Sequence, residues 1–453
     1  MFYTDLNSEF DIGSNCSVLE IGPFRILVDC GMHPKKLGRA ALPQLGKLDD
    51  LLIDFAVLTH CHLDHLGGFP VFTRAHPNTP ILCSPASKLI AKRILRNSIS
   101  VMEHQREEQH ILEYPLFTYS DLDRVEANLT ALPIGVPKTF FEHDDQITIT
   151  FYSAGHVAGA IGVMFEYKHR KIFCTGDVSF ETMETVDGAA FPQEKIDTLI
   201  METTRGATEV EEDLTRDDEL CRLVNDVAGT LAGGGSVLIP AFAFGRMQDM
   251  IHVLLSAKNK GLIPKDVPVF CTGLGLDLAD YFDVMSKKTG SVNFHRGMMK
   301  DLGVQKLNNF EEPGLDVAVQ GIYLVSSGML VERTPAWRLA ANMLDHAHNL
   351  IAFVGYCDPD TPGGRLLTRT NVDELRFNDF DYIARVRATV ARYQLSGHTT
   401  RERMMQFVNN VEPRLVVLTH GDPAAREWYE EEIAIQLPRV KVVNPVPGEE
   451  INC

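Results

Sequence analysis

The run His60-Cys61-His62-Leu63-Asp64-His65 crowds three imidazoles and a carboxylate into six residues, directly after the apolar stretch Phe55-Ala56-Val57-Leu58 and just before Gly67-Gly68. Groups this costly to bury do not gather at the end of an apolar segment for packing alone. Each offers a lone pair, and an extended segment running into a tight turn aims alternate side chains at two neighbouring points. That spacing predicts a divalent zinc centre. Cys61 falls on the opposite face of an extended segment and reads as a small packing residue.

Composition sets outer bounds. A chain of 453 residues with 45% hydrophobic residues can bury a full core and divide into two or more domains. No stretch reaches the ~18 consecutive apolar residues of a membrane span, and the start Met1-Phe2-Tyr3-Thr4-Asp5 lacks the basic residues and apolar run of a secretory signal. The expectation is a cytoplasmic protein with no membrane role. Nine cysteines, odd in number, scattered and never in a C-x-x-C pair, fit a compartment where thiols stay reduced, and none is assigned as a ligand. With 43 basic against 61 acidic residues the net charge is -18, a field that repels polyanions at long range. Any nucleic-acid site must then be local.

Short β-rich segments end repeatedly in polar residues. Arg25 to Val28 runs into Asp29, Ile147 to Tyr152 into Ser153-Ala154-Gly155-His156, and Lys171 to Cys174 into Thr175-Gly176-Asp177. Farther on, Thr198 to Met201 delivers Glu202, Ala391 to Leu395 delivers Ser396-Gly397-His398, and Leu415 to Leu418 delivers Thr419-His420-Gly421. Strand ends of this kind are where layered α/β proteins bind ligands. Helical spacing of apolar residues marks Pro85 to Ser98, Asp217 to Ala232, Gly245 to Ala257, Pro335 to Leu344 and Arg401 to Asn410, while Ala424 to Leu437 carries a glutamate-rich solvated surface. Four histidines, His33, His104, His110 and His143, match no motif.

Asp29, the His60 to His65 run, His156 and Asp177 follow the order and approximate spacing of the metallo-β-lactamase fold, and the second half resembles its β-CASP subgroup. Glu202 matches the acidic motif A, His398 in Ser396-Gly397-His398-Thr399 motif B, and His420 motif C. Three more segments are similar to the inserted domain: Ile239 to Arg246, Ser326-Ser327-Gly328-Met329-Leu330, and Gly355-Tyr356 leading to Gly363-Gly364-Arg365-Leu366. Almost the whole chain is covered. Within the group the chain resembles the compact, single-subunit members, similar to bacterial and archaeal RNA-processing nucleases and to the catalytic core of the mRNA 3′-end cleavage enzyme.

The resemblance implies an α/β fold, an αββα sandwich formed by residues 1–203 and 390–453, interrupted by an α/β β-CASP cap at 204–389. It implies that His60, His62 and His156 bind one zinc ion and Asp64, His65 and His420 a second, with Asp177 bridging. Two such ions lower the pKa of a shared water, clamp a phosphate oxygen and present hydroxide for in-line attack at phosphorus. Asp64 belongs to that catalytic set as well. His398 is the expected general acid for the leaving oxygen, oriented and raised in pKa by Glu202; a plain phosphate contact or packing role is the alternative. Asp29 is expected to brace the metal loop rather than bind metal. Ser326, Ser327, Arg246 and Arg365 are candidates for phosphate contact, against a simple turn for the serines and ion pairs for the arginines.

The implied function is a zinc-dependent phosphodiesterase cleaving RNA, an endoribonuclease with 5′ exonuclease activity as a further option. His420 favours RNA over DNA, because within the group a histidine at motif C accompanies RNA substrates. Two alternatives stay open: a DNA nuclease of the same fold, and a non-catalytic scaffold whose acidic surface docks a basic partner. A homodimer is a further expectation. Two features depart from the group's pattern, namely Thr400 two positions after His398 and the acidic, proline-rich Asp358-Pro359-Asp360-Thr361-Pro362.

Overall fold

A computed structural model describes residues 1–210, 214–368 and 373–453. The chain divides into two compact units, one made of Met1–Thr182, Val186–Glu209 and His398–Cys453, the other of Met183–Thr185 and Val210–Gly397.

The first unit is built on two seven-stranded sheets. In one, the strands run Glu450–Asn452, Phe2–Asp5, Ser17–Ile21, Phe24–Val28, Phe55–Val57, Ile81–Cys83 and Leu129–Ala131; in the other, Lys441–Val443, Leu415–Thr419, Thr198–Glu202, Arg170–Cys174, Ile161–Tyr167, Asp145–Ser153 and Lys138–Glu142. Alternate residues of both sheets meet in one apolar core, including Leu19, Ile26, Phe55, Val57, Ile149, Val163, Phe165 and Val417. Together with the helices of the same unit, this is the α/β sandwich the sequence led one to expect. The chain's return is written into the second sheet: Leu415–Thr419 pairs in parallel with Thr198–Glu202, with Glu202 opposite Thr419. Two segments more than two hundred residues apart in sequence therefore end side by side.

Helix Pro85–Gln109 starts on a Ser84 cap whose hydroxyl accepts from the Ser87 amide at 3.1 Å, with proline at its first position. It runs well past the expected Ser98, because its buried stripe continues through Ile99 to Met102 and nothing in the polar stretch that follows breaks it before His110, which is left-handed with φ 56°. The helices expected from Asp217, Gly245, Pro335, Arg401 and Ala424 are found as Arg216–Ala232, Arg246–Asn259, Pro335–Met343, Arg401–Val411 and Pro423–Gln436.

The second unit holds a six-stranded, all-parallel sheet in the order Val304–Lys306, Val269–Cys271, Ile322–Val325, Val237–Pro240, Leu350–Phe353, Thr389–Arg392, plus a small antiparallel pair, Glu374–Phe377 with Tyr382–Arg385. Strands such as Ile322–Val325 and Leu350–Phe353 are buried at every position, as parallel strands covered on both faces must be. The strand expected at Ala391 to Leu395 lies earlier, at Thr389–Arg392. It is the edge strand beside Leu350–Phe353, and the ladder ends where Tyr393 donates to Phe353 and Leu395 turns back onto the Tyr393 carbonyl. His398 therefore follows a short irregular connection, not a strand end. No helix among the described residues is long and apolar enough to cross a membrane.

Candidate metal centre

Strand Phe55–Val57 delivers its chain to the site through Thr59. His60 to His62 are extended, His62 precedes a single helical turn at Leu63–Leu66, and Asp64 and His65 lie on that turn. The alternation places His60 and His62 on one side and sends the Cys61 thiol the other way, 3.5 Å from the Ser87 carbonyl. Gly31 lets the neighbouring loop come close, since a Cβ there would sit 1.7 Å from the Asp64 carbonyl oxygen.

Around this turn the structure gathers residues that follow four strands, Phe55–Val57, Asp145–Ser153, Arg170–Cys174 and Leu415–Thr419. His60 Nε2 and His156 Nε2 lie 3.0 and 3.1 Å from His62 Nδ1, and both stand near Asp177 Oδ2, at 3.6 and 3.7 Å. Beside them, His65 Nε2 is 3.4 Å from Asp177 Oδ2 and 3.8 Å from Asp64 Oδ2; His420 Nε2 is 3.4 Å from Asp64 Oδ2, and its Nδ1 is 3.4 Å from Asp177 Oδ1. Three donor groups result: His60, His62, His156 and Asp177, next to it Asp64, His65 and His420, and a third of Asp177, Glu202 and His398. Asp177 touches all three.

The spacing tests whether these donors suit a metal. With zinc–nitrogen bonds of ~2.0–2.1 Å, the edge of a tetrahedral ligand shell is about 3.3 Å, and the separations in the first group, from 3.0 to 3.7 Å, bracket that edge. Asp177 is only 2% exposed, yet its Oδ1 accepts no hydrogen bond among the described residues. A buried carboxylate oxygen without a donor is costly, and a cation satisfies it. These clusters carry the donor set of a metal-binding site.

Electrostatics point the same way. Burial works to raise the Asp177 carboxyl, but His420, His65 and His60 around it outweigh burial and hold it well below the usual carboxylate range. Asp64 is likewise lowered to about 2 by His65 and His420 against the effect of burial. Burial, reinforced by His65, pushes the His60 imidazole well below its ordinary pKa. The lowered carboxylates and His60 favour the forms that bind a metal, whereas His65, raised well above its ordinary value by Asp177, Asp29 and Asp64 against the effect of burial, must release a proton to do so.

Asp29 sits behind the centre in a left-handed backbone, φ 58°. One carboxylate oxygen accepts from the Thr59 amide at 2.7 Å; the other accepts from the Thr59 hydroxyl and His65 Nδ1, both at 2.7 Å. Engaging Nδ1 leaves Nε2 to face Asp64 and Asp177, the usual orienting arrangement behind a ligand histidine.

Glu202 and His398, grouped with Asp177, also pair with each other. The Glu202 carboxylate accepts from the Val178 amide at 2.7 Å and the Thr204 amide at 3.3 Å, and His398 Nδ1 lies 3.1 Å from each of its oxygens. Burial tends to lower the His398 pKa, but the Glu202 carboxylate, with Asp177 and Asp64 farther off, raises it above the ordinary histidine value. The His398 ring also stands 4.5 Å from that of His156. The charged form of the imidazole is thus favoured beside the donor clusters.

Residues 11–217 match the model of the metallo-beta-lactamase superfamily, and residues 383–445 match that of a Zn-dependent metallo-hydrolase RNA specificity domain. The chain belongs to the metallo-beta-lactamase superfamily, in its β-CASP branch. Among curated relatives of this superfamily member are cleavage and polyadenylation specificity factor subunit 3-II of Arabidopsis thaliana, 27% identical over 98% of this chain and 71% of the relative, endoribonuclease ysh1 of Schizosaccharomyces pombe, 26% over 93% and 54%, and Integrator complex subunit 11 of Gallus gallus, 25% over 98% and 73%. The chain thus spans from about half to about three quarters of their lengths. A crystal structure of a protein of unknown function from Enterococcus faecalis V583 shares the fold at a TM-score of 0.56 and 14% identity, covering 99% of both chains.

The four phosphate-contact candidates lie in the second unit and have separate surroundings. Arg246 is buried; its Nη2 lies 2.7 Å from Asp249 Oδ2 and its Nη1 donates to the Leu395 carbonyl at 2.9 Å, so it follows the ion-pair alternative. Ser327 follows the turn alternative, its hydroxyl accepting from the Val331 amide at 3.0 Å, and the Ser326 carbonyl accepts from the Ala336 amide. Arg365 is exposed on the short helix Pro362–Thr368. Sequence reasoning missed Thr59 and Thr204, the hydroxyls that hold Asp29 and His420. Both stand within two residues of a motif residue, which is the only signal they give.

Proposed function

We propose that this chain is a zinc-dependent phosphodiesterase that cleaves RNA internally. The observation that carries the reading is the pair of donor groups sharing Asp177, with the His398–Glu202 dyad beside them. His60, His62, His156 and Asp177 would hold one zinc ion, and Asp64, His65, His420 and Asp177 the second. Bound there, the ions would supply Lewis-acid stabilisation of phosphate charge and water activated near neutral pH. Asp29 keeps His65 in the tautomer that turns Nε2 to the site. Glu202 fixes the His398 ring through Nδ1 and favours its charged form, leaving Nε2 to give a proton to the departing oxygen.

RNA as the substrate is supported by the match to an RNA specificity domain and by relatives named as endoribonucleases. Zinc-loaded protein incubated with matched single-stranded RNA and DNA labelled at either end tests this. Internal cleavage of RNA is expected; cleavage of DNA alone overturns the substrate, and shortening solely from the 5′ end overturns the internal mode. The domain reading, a metallo-hydrolase core interrupted by a β-CASP insert, is part of the same proposal. So are action with protein partners, in keeping with relatives named as complex subunits, and self-association to a dimer, which sedimentation would test. Nine free cysteines fit a reducing compartment such as the cytoplasm.

A further inference from the structure

His420 is held in a conformation that side chains rarely adopt, with a left-handed backbone at φ 47°. Three sets of contacts keep it there. On the ring side, Thr204 Oγ1 lies 2.8 Å from His420 Nδ1 and 3.3 Å from its carbonyl oxygen. Before it, the Thr203 hydroxyl donates to the Thr419 carbonyl at 2.9 Å, and Gly421 makes that approach feasible, since a Cβ there would fall 2.2 Å from Thr203 Oγ1. Behind it lies Arg426, on the first turn of helix Pro423–Gln436 and wholly buried at 0% exposure. Its Nε donates to the Gly421 carbonyl at 2.8 Å, and Nη1 donates to the Leu418 carbonyl and to Asn444 Oδ1, each at 3.3 Å.

A guanidinium taken completely out of water is an expensive filler for space that an aliphatic side chain would occupy. Its worth lies in geometry. The planar fork fixes several acceptors at once, and here two of them are the carbonyls that flank His420 on either side. We propose that Arg426 is a positioning residue for the second metal ion, locking the Leu418–Gly421 backbone so that His420 Nε2 faces Asp64 Oδ2 across 3.4 Å. The inference rests on the two-metal reading above. Arg426 touches neither the metal donors nor the reacting atoms; it acts through His420.

The test is a zinc titration of metal-free protein against a competing chromophoric chelator, with the absorption spectrum of the cobalt(II)-loaded protein as a second readout. The parent should take up two ions. Arg426→Met fills the space without donors, and Arg426→Lys keeps the charge as a single point that cannot span both carbonyls. Both variants should keep the parent's affinity for one ion and weaken the other roughly 10- to 100-fold, the usual cost of losing a group that orients a ligand. His420→Ala marks which ion is affected, and its cobalt spectrum should lose the same bands. Two ions at parental affinity in both variants would overturn the inference alone. Equal weakening of both ions with a matching fall in melting temperature would also overturn it, assigning Arg426 a purely structural part. Should Arg426→Met not fold, Arg426→Lys decides between these outcomes. A parent that binds one ion removes the two-metal reading, and this inference with it.

Discussion

The two units treat the same chemistry in opposite ways. In the first, several histidines and aspartates at strand ends crowd around one another, and the buried Asp177 Oδ1 has no hydrogen bond among the described residues, only the His420 ring nitrogen at 3.4 Å. In the second, comparable buried groups meet cations and donors of the chain itself: Asp249 Oδ1 accepts from the Thr185 amide at 3.0 Å and its Oδ2, without a hydrogen bond, lies 2.7 Å from Arg246 Nη2, while Lys258 Nζ donates to the Val267 and Leu302 carbonyls at 2.6 and 2.9 Å. A charged residue in a core is thus not itself a sign of function. Function is indicated where several groups with ligand lone pairs converge on one point instead of pairing one to one.

Removing a donor from the unsatisfied cluster should have the largest effect. His62→Ala, whose ring stands between His60 and His156, should lose one bound metal and reduce RNA cleavage to background, as should chelation of the parent; metal analysis beside a cleavage assay checks both. Retained metal and activity would mean that the cluster is no more functional than the Arg246–Asp249 pair. His398→Ala should keep its metal and its melting temperature while cleavage falls about 10²- to 10⁴-fold, the range typical of a lost general acid.

The comparison sharpens in the pH profile. In the proposed role His398 gives its proton only while charged, so cleavage should fall as pH rises through its pKa, which Glu202 raises against the effect of burial. Glu202→Gln removes the attracting charge, and the alkaline limb should move to lower pH; an unmoved limb would assign that limb to another group. In the second unit the expected change is in stability. Arg246→Met leaves Asp249 buried without its cation and should cost about 3–5 kcal/mol by denaturant unfolding, with metal content unaltered. Smallest of all, Arg365→Ala, at an exposed position, should shift stability by no more than about 0.5 kcal/mol. A strong loss of RNA affinity in that variant would give the second unit a substrate contact.

The same contrast explains what was legible beforehand. His60, His62, Asp64 and His65 announce themselves because they are consecutive, and His156, Asp177, Glu202 and His420 because each ends an apolar run with a turn residue beside it. The sandwich was readable through the resemblance those motifs carry. Residues that orient the donors were harder: Thr59 and Thr204 are ordinary turn threonines in sequence, and Arg426 is a polar residue in a glutamate-rich helix whose burial depends on a strand folded elsewhere. Arg246 was ambiguous because its partner, Asp249, lies one helical turn away, where any exposed pair would also lie. Helix Pro85–Gln109 outran its expected end because polar residues with good helical propensity give no stop signal.

The parallel pairing of Leu415–Thr419 with Thr198–Glu202 also sets an order of events during synthesis. A ribosome must pass more than two hundred residues beyond Glu202 before His420 can take its place, so a nascent chain holds six of the seven donors, His60, His62, Asp64, His65, His156 and Asp177, for an interval in which the seventh is still missing. The second donor group is thus completed later in synthesis than the first.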